Sequence, residues 1–433
     1  MKNNSQKIDI ITLGCAKNVV DSEVLAGKLK AGNYLTYQDS DKASDIVIIN
    51  TCGFINDAKQ ESIDTILQYV QAKKQGLVKK IFVIGCLSQR YKNNLIKEIP
   101  EVDEFFGVEE FEKISEKLGI DYNKVKNSHR KLNKPNHFAY LKIADGCNRN
   151  CSFCAIPLIK GKHVSRPIEE LVDEAKSLAD NGVKELILIA QDTTYYGFDI
   201  YKKQMLGKLL NELSKIEKLE WIRIHYTYPA SFPDDVLQTI KKHKKICSYI
   251  DIPFQHISES LLKSMRRGYS EKDTYKLINT LKTEIPDVAI RTTLIVGYPG
   301  ETEEDFRKLV EFVKNVKFDR LGVFTYSHEE DTFAYSLKDD VPDEVKQQRA
   351  NEIMEIQQQI SLEKNSSKIG KTFKTLIDRK EGNYYIGRTE YDSPEIDNEV
   401  LIKDDNDELS VGEFYNIKII KSDFFDLYGK LMQ

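Results

Sequence analysis

Apolar residues in the first 120 positions fall into short β-branched runs separated by longer stretches with helical spacing. Residues 7–13, 45–50 and 80–84 are strand-like runs rich in Ile and Val, and 104–108 is a candidate fourth. Between them the spacing predicts a helix over 18–29 that ends near Gly32. A second helix is predicted over 57–73, with Ile63, Ile66, Leu67 and Val70 on one stripe. Runs that are apolar on both sides and alternate with helices imply a parallel sheet covered on both faces.

The pattern changes twice further on. Residues 121–136 are polar and turn-rich, with Lys124, Lys126, Arg130, Lys131, Lys134 and Pro135, and read as a solvated linker. Six strand candidates then alternate with helices: 138–144, 185–190, 221–224, 249–252, 289–296 and 321–326. Pro167 opens the first of these helices and Gly182 closes it. Six strand–helix units make an incomplete version of the eight-unit barrel, with a side mouth open to a bulky substrate. A long polar helix over 343–364 leaves this region. Short strands at 373–377, 384–387, 399–402 and 414–420, separated by turn residues, form a small antiparallel barrel. The fold class is α/β. The expected parts are a parallel-sheet domain (1–120), a linker (121–136), a partial (β/α)6 barrel (137–366) and a β-barrel (367–433).

A chain of 433 residues exceeds one ordinary core, and 40% hydrophobic with 30% charged residues describes a soluble globular protein. No apolar run approaches membrane-spanning length, and the first residues lack the apolar core of a signal peptide. Seven cysteines without an export signal imply reduced thiols in the cytoplasm, as ligands or catalysts and not disulfides. A net charge of −4 argues against a surface that grips nucleic acid generally.

The cysteines carry the chemistry. Cys147, Cys151 and Cys154 form a C-x3-C-x2-C run after the first strand of the barrel region, with no fourth cysteine nearby. Three thiolates hold three corners of a 4Fe–4S cube and leave one iron open to a small molecule, which points to radical chemistry. A zinc site with His163 as fourth ligand is the alternative, although zinc more often uses paired C-x2-C units. Phe153 is placed either to pack on a bound adenine or to shield the cluster. Cys15, Cys52 and Cys86 each lie just past the end of a predicted parallel strand. In an open sheet those ends share one edge, so three residues distant in sequence converge and can hold a second cube. Cys247 has no such setting and reads as an inert thiol.

Other signals are weaker. Residues 293–302 run from a strand into a helix; Gly297 and Gly300 allow close backbone approach, and Thr302 suits a helix cap. Gln191 with Asp192, and Gln255 with His256, follow strands and project towards the mouth, with a solvated loop as the plain reading of each pair. Asp21 and Glu23 open the first helix, where acidic residues satisfy the positive helix end.

Taken together, these motifs resemble the methylthiotransferase branch of the radical S-adenosylmethionine enzymes. The resemblance rests on Leu13-Gly-Cys-Ala-Lys-Asn18 with Asp21-Ser-Glu23, Asn50-Thr-Cys-Gly-Phe54, Gly85-Cys86, the C-x3-C-x2-C loop and Val296-Gly-Tyr-Pro-Gly-Glu301. It implies an auxiliary-cluster domain, a radical barrel and a C-terminal domain of the TRAM type. It further implies two 4Fe–4S clusters, one at Cys147, Cys151 and Cys154 and an auxiliary one at Cys15, Cys52 and Cys86, both facing one cavity. S-adenosylmethionine is the implied cofactor, with Phe153, Gln191, Gly297 and Glu301 as candidate contacts. No side chain is assigned as a catalytic acid or base.

Two branches of that family differ in substrate: a tRNA adenosine, or an aspartate of ribosomal protein S-12 of the small subunit. The extended run 13–23, Asn50 to Ile55, Gln191-Asp-Thr193 and Pro394-Glu-Ile-Asp397 look like the second, and Gly53 stands where the tRNA branch usually has Ser. From Lys371 onward nine Lys and Arg face fourteen Asp and Glu, a net of −5. An acidic module repels RNA and attracts a basic protein, so the expected partner is the ribosomal protein, free or on the small subunit, and not tRNA. The expected reaction is methylthio transfer to the β-carbon of the aspartate, with an electron donor that the sequence does not identify. The alternatives are the same chemistry on tRNA, and a non-catalytic iron–sulfur protein that binds nucleic acid.

Overall fold

Five parallel strands organise the first part of the chain: β1 (Lys7–Thr12), β2 (Leu35–Gln38), β3 (Ile46–Thr51), β4 (Lys80–Gly85) and β5 (Glu104–Phe105), in the order β2-β1-β3-β4-β5. This computed structural model describes residues 6–40, 42–126, 130–133, 135–403 and 408–432. Alternate residues of each strand feed opposite cores. Ile8, Ile10, Ile46, Ile48 and Phe82 pack with Leu25 and Leu29 of α1 (Ala16–Ala31). Val47, Ile49, Ile81 and Val83 pack with Ile66 and Val70 of α2 (Asn56–Lys74). Burial on both faces explains why these strands read as unbroken apolar runs. Leu67, expected on the buried stripe, is exposed, because the buried face runs through Ser62, Ile66 and Val70 and Leu67 sits about 100° around the helix from Ile66. A third helix, α3 (Cys86–Glu98), follows β4.

The chain divides into two units. The first comprises residues 1–134 with Asp145–Arg149 and Cys154–Val164; the second comprises Pro135–Ala144, Asn150–Phe153 and Ser165–Gln433. The basic run 121–136 is not a plain solvated connector. Arg130 pairs with Glu23 at 2.9 Å and both are buried, while Lys131 Nζ donates to Thr36 Oγ1 at 3.0 Å. Residues 127–129 and Lys134 lie outside the described residues.

In the second unit, β6 (Phe138–Lys142) starts a parallel sheet. After two two-residue strands, β7 (Ala144–Asp145) and β8 (Val164–Ser165), the sheet continues with β9 (Glu185–Ile189), β10 (Trp221–Ile224), β11 (Ile246–Asp251), β12 (Ala289–Val296) and β13 (Arg320–Thr325). The order β13-β12-β11-β10-β9-β6 is sequential and open. The predicted polar helix, Asp343–Ser366, does not leave the region. It buries Ile353 and Ile360, and Gln357 Nε2 donates to Phe318 O at 3.0 Å, beside the edge strand β13. The chain closes with the barrel β14 (Thr372–Glu381), β15 (Tyr384–Thr389), β16 (Val400–Lys403), β17 (Phe414–Ser422) and β18 (Leu427–Leu431). The last strand is one more than the pattern predicts. Among the described residues no helix is long and apolar enough to cross a membrane.

Buried ion pairs fasten this barrel to the starts of the sheet strands. Glu185 accepts from Arg223 Nε at 2.8 Å and also pairs with Arg388. Arg388 pairs with Asp378 at 2.8 Å, and Arg320 pairs with Asp392. Asp397 accepts from Tyr249 Oη at 2.7 Å and faces Arg291 at 3.5 Å. Burial raises the Asp397 carboxyl, with Arg320 and Arg291 opposing. These contacts correct the charge argument. Asp392 and Asp397 face Arg320 and Arg291, which lie outside the counted module, so the net of −5 overstates the acid free to attract a partner; Asp404, Asp405 and Asp407 lie outside the described residues.

Candidate functional site

Cys15, Cys52 and Cys86 follow β1, β3 and β4, three adjacent parallel strands. The loops that carry them touch. A Cβ on Gly14 would lie 2.7 Å from Cys52 Cβ, and one on Gly53 would lie 2.7 Å from the Leu87 backbone, beside Cys86. Gly85 has φ +96°, and a Cβ there would sit 2.5 Å from Thr51 O. Glycines at these positions let three strand ends close on one another.

Polar side chains fix the loops. Asn18 Nδ2 donates to Leu13 O at 2.7 Å and to Thr51 O at 3.2 Å; Asn50 Nδ2 donates to Asn18 O and Ser22 Oγ, each at 3.0 Å. Ser62 Oγ accepts from Cys52 N at 3.0 Å and donates to Cys52 O at 2.9 Å. Asn18 and Asn50 thus serve as braces for the cysteine loops.

Burial pushes the Cys52 thiol up. It pushes Cys86 up to about 12, with Lys160 opposing and Cys15 and Cys52 adding to the rise. Three mutually repelling thiolates are costly here unless a cation joins them, and ligation releases their protons. The donor set fits a cluster.

The first unit also holds both arms of the C-x3-C-x2-C loop. Cys147 N donates to Gly161 O at 3.1 Å, and Arg149 N to Cys147 Sγ at 3.4 Å. Ala155 and Ile159, just after Cys154, pack on Cys86. Lys160 is buried between Asp21 at 3.3 Å and Asp145 at 3.2 Å. Asp21 therefore does not serve a helix end: α1 starts at Ala16, placing Asp21 in its second turn, and its partner is Lys160. Sequence reasoning missed Lys160, which carries no motif. His163 is buried, with its backbone N–H on Asn148 Oδ1 at 3.1 Å. Among the described residues no three His, Cys, Asp or Glu converge as ligands of a single metal ion would. A cube presents a separate iron to each thiolate and spreads its ligands more widely.

Cys151 and Phe153 lie in the second unit. Arg267 Nη1 donates to Cys151 Sγ at 3.1 Å. Phe153 packs on Leu261, Met265, Tyr298, Tyr326 and Ala334. Gln191 and Asp192 follow β9, but Asp192 is no solvated residue: it is buried and accepts from Thr194 Oγ1 at 2.5 Å and Tyr195 N at 3.2 Å. Nor do Gln255 and His256 form a solvated loop. Gln255 bridges to β12, and His256 is fully buried, its Nδ1 accepting from Ser258 N at 3.0 Å. Burial drops the His256 pKa to about 3, so the ring is neutral.

After β12, Gly297 has φ +74°, and a Cβ there would overlap Lys346 Cγ. Glu301 accepts from Gly297 N at 2.6 Å, Tyr298 N at 3.3 Å and Arg349 Nη1 at 2.9 Å. Burial lifts its carboxyl to about 7 against these partners. Glu301 is thus engaged in holding its own turn. Thr302 caps the following helix in a reciprocal box with Asp305, as its position suggests. Cys247 is buried among Trp221, Tyr249, Ala289 and Leu376, with its thiol pushed up to about 12 by burial, which suits an inert role.

Gly53→Ser is expected to displace the first turn of α3, because its Cβ meets backbone and not a movable side chain. Overpacking of this kind costs about 1–3 kcal/mol. The variant should show a lower thermal midpoint and less iron per chain than the parent, measured by metal analysis after anaerobic reconstitution.

Comparison with known proteins agrees with this architecture. The chain matches the Radical SAM superfamily over residues 141–313, the Uncharacterized protein family UPF0004 over 7–107, and the TRAM domain over 369–432. The radical family implies a 4Fe–4S cluster and S-adenosylmethionine. Among solved structures the chain resembles the radical S-adenosylmethionine methyltransferase TsrM from Kitasatospora setae, at 14% identity with a TM-score of 0.54 over 74% of this chain and 73% of that one. It also resembles the cobalamin-dependent enzyme OxsB, at 11% identity with a TM-score of 0.51 over 82% and 56%. These likenesses concern the fold. Curated relatives named "Ribosomal protein uS12 methylthiotransferase RimO" are far nearer. The one from Flavobacterium johnsoniae is 58% identical over 98% of both chains, and that from Phocaeicola vulgatus is 53% identical over 100% of both. Identity at this level along the whole length, through all three matched regions, places the chain in the ribosomal protein uS12 methylthiotransferase family.

Proposed function

We propose that this chain is a radical S-adenosylmethionine transferase that places a methylthio group on the β-carbon of an aspartate in ribosomal protein uS12. The observation that carries the reading is the convergence of Cys15, Cys52 and Cys86 at adjoining strand ends. The arms of the second cysteine loop pack in the same unit, through Ala155, Ile159 and Lys160. Cys147, Cys151 and Cys154 would hold one 4Fe–4S cube and Cys15, Cys52 and Cys86 an auxiliary one, three thiolates in each set leaving one iron without a protein ligand.

Functionalising an unactivated C–H bond is beyond acid–base side chains; S-adenosylmethionine on a reduced cube supplies the one-electron chemistry that does it. The protein's share is placement. Asn18, Asn50 and Ser62 hold the auxiliary loops, and Lys160 ties α1 to the segment before Cys147. Phe153 and the strand ends at Gln191 and Gly297 line the S-adenosylmethionine side, with Glu301 acting by shaping the Gly297 turn. Transfer would require the two cubes to serve one substrate, and misplacing reacting groups by 1 Å costs roughly a hundredfold in rate. The enzyme works in the cytoplasm on free uS12 or on the small subunit, and draws electrons from a low-potential donor.

Mass spectrometry of products from reductant, S-adenosylmethionine and either uS12 or tRNA tests the assignment. The expected result is one methylthio group on an aspartate of uS12 and none on tRNA. Modification of tRNA adenosine alone would move the chain to the other substrate.

A further inference from the structure

Among the described residues six arginine side chains are buried: Arg130, Arg223, Arg267, Arg320, Arg349 and Arg388. Five have a carboxylate partner: Arg130 with Glu23, Arg223 and Arg388 with Glu185, Arg320 with Asp392, and Arg349 with Glu301. Arg267, only 4% exposed, has none. Its Nε donates to Tyr269 Oη at 3.1 Å, its Nη2 to Pro253 O at 2.7 Å, and its Nη1 to Cys151 Sγ at 3.1 Å. Its guanidinium also stacks over the rings of Tyr228, at 4.5 Å, and Tyr269, at 5.5 Å. Hydroxyl, carbonyl and ring faces solvate a cation but do not neutralise it. A buried charge without a counter-charge is costly. Burial keeps the Tyr269 phenol neutral, so the partner that would carry negative charge is the Cys151 sulfur when it ligates iron.

We propose that Arg267 sets the reduction potential of the cluster held by Cys151. This rests on the ligand assignment made above. Reduction adds one electron, and hence one negative charge, to the cube without making or breaking a bond. A fixed positive charge and an N–H···S hydrogen bond at a ligand sulfur favour that more negative state, as charge and hydrogen bonds to sulfur do in iron–sulfur proteins generally. The Tyr228 and Tyr269 rings bury the guanidinium from water, so its field on the sulfur is little screened. Arg267 is a positioning residue acting through Cys151.

The test is a redox titration of the anaerobically reconstituted full chain with dithionite, followed by electron paramagnetic resonance. The signal that changes on adding S-adenosylmethionine identifies the cube in question. Arg267→Gln keeps a donor near the sulfur and removes the charge. At a fixed potential its reduced-to-oxidised ratio should fall about tenfold, a shift of about 59 mV to more negative potential for one electron. Arg267→Lys keeps the charge in a different place and should shift less, in the same direction. If Arg267→Gln holds no iron, Arg267→Lys carries the test alone. An unchanged midpoint in whichever variant holds the cube overturns the proposal. Failure of the unsubstituted chain to show any reducible, S-adenosylmethionine-responsive cube would instead overturn the functional reading.

Discussion

A chain carrying Cys52→Ala is expected to keep reductive cleavage of S-adenosylmethionine and to lose transfer of the methylthio group. The backbone of this loop does not depend on the sulfur. Ser62 holds both the Cys52 amide and its carbonyl, at 3.0 and 2.9 Å. Alanine therefore preserves the path of the chain while leaving two ligands where a cube needs three. Iron should fall from about eight to about four per chain, for two cubes reduced to one. Deoxyadenosine formation should continue, because Cys147, Cys151 and Cys154 are untouched. Modified uS12 should drop by more than the roughly hundredfold that a misplaced reacting group costs, since here the group is missing. Cys151→Ala should abolish both products. If Cys52→Ala transferred the methylthio group at the parent rate, the sulfur would have to come from another site.

The second large effect is on stability. Glu185 is fully buried and is the shared counter-charge of Arg223 and Arg388. Glu185→Ala leaves two buried guanidinium groups facing each other. Arg388 retains Asp378, but Arg223 retains no carboxylate, only the carbonyls of Glu390 and Thr389 and the ring faces of Tyr249 and Trp221. Breaking a buried pair by removing one partner costs about 3–5 kcal/mol. The chain is too large for a single two-state midpoint. Trp221, its one tryptophan, lies in β10, 4.7 Å from Phe414 of the C-terminal barrel, so its fluorescence reports on this junction alone. The denaturant midpoint read from Trp221 should fall sharply in Glu185→Ala. The double change Glu185→Leu, Arg223→Met, which leaves Arg388 on Asp378, should recover most of the loss, because an apolar replacement of a buried ion pair is often neutral.

The parallel sheets were legible because burial on both faces writes strands as unbroken apolar runs. Five of the six large-sheet strands lie within two residues of their predicted bounds at both ends, and β11 begins three residues early. The convergence of Cys15, Cys52 and Cys86 followed from topology alone, since ends of parallel strands share an edge. What escaped was long-range polar pairing. Nothing near Lys160 announces Asp21, which is 139 residues away, and Arg223 reaches Glu390 across 167. The net charge of the C-terminal module pointed to the protein-substrate branch but overstates the free acid for the same reason: a count cannot tell a solvated carboxylate from Asp392 locked on Arg320. Strand β18 was missed because Leu427–Leu431 contains a glycine and a lysine, and its role as a barrel-closing strand depends on β16 and β17 on either side. Glu301, a candidate ligand contact in the motif, also clasps its own turn, which the sequence did not announce.

The most direct measurement of the central claim is iron and acid-labile sulfide per chain in anaerobically reconstituted protein, with zinc determined on the same sample. Two cubes on two sets of three thiolates predict about eight of each, and little zinc. About four irons, unchanged when Cys15, Cys52 and Cys86 are replaced together, would contradict a second cube, and zinc in place of iron would contradict both.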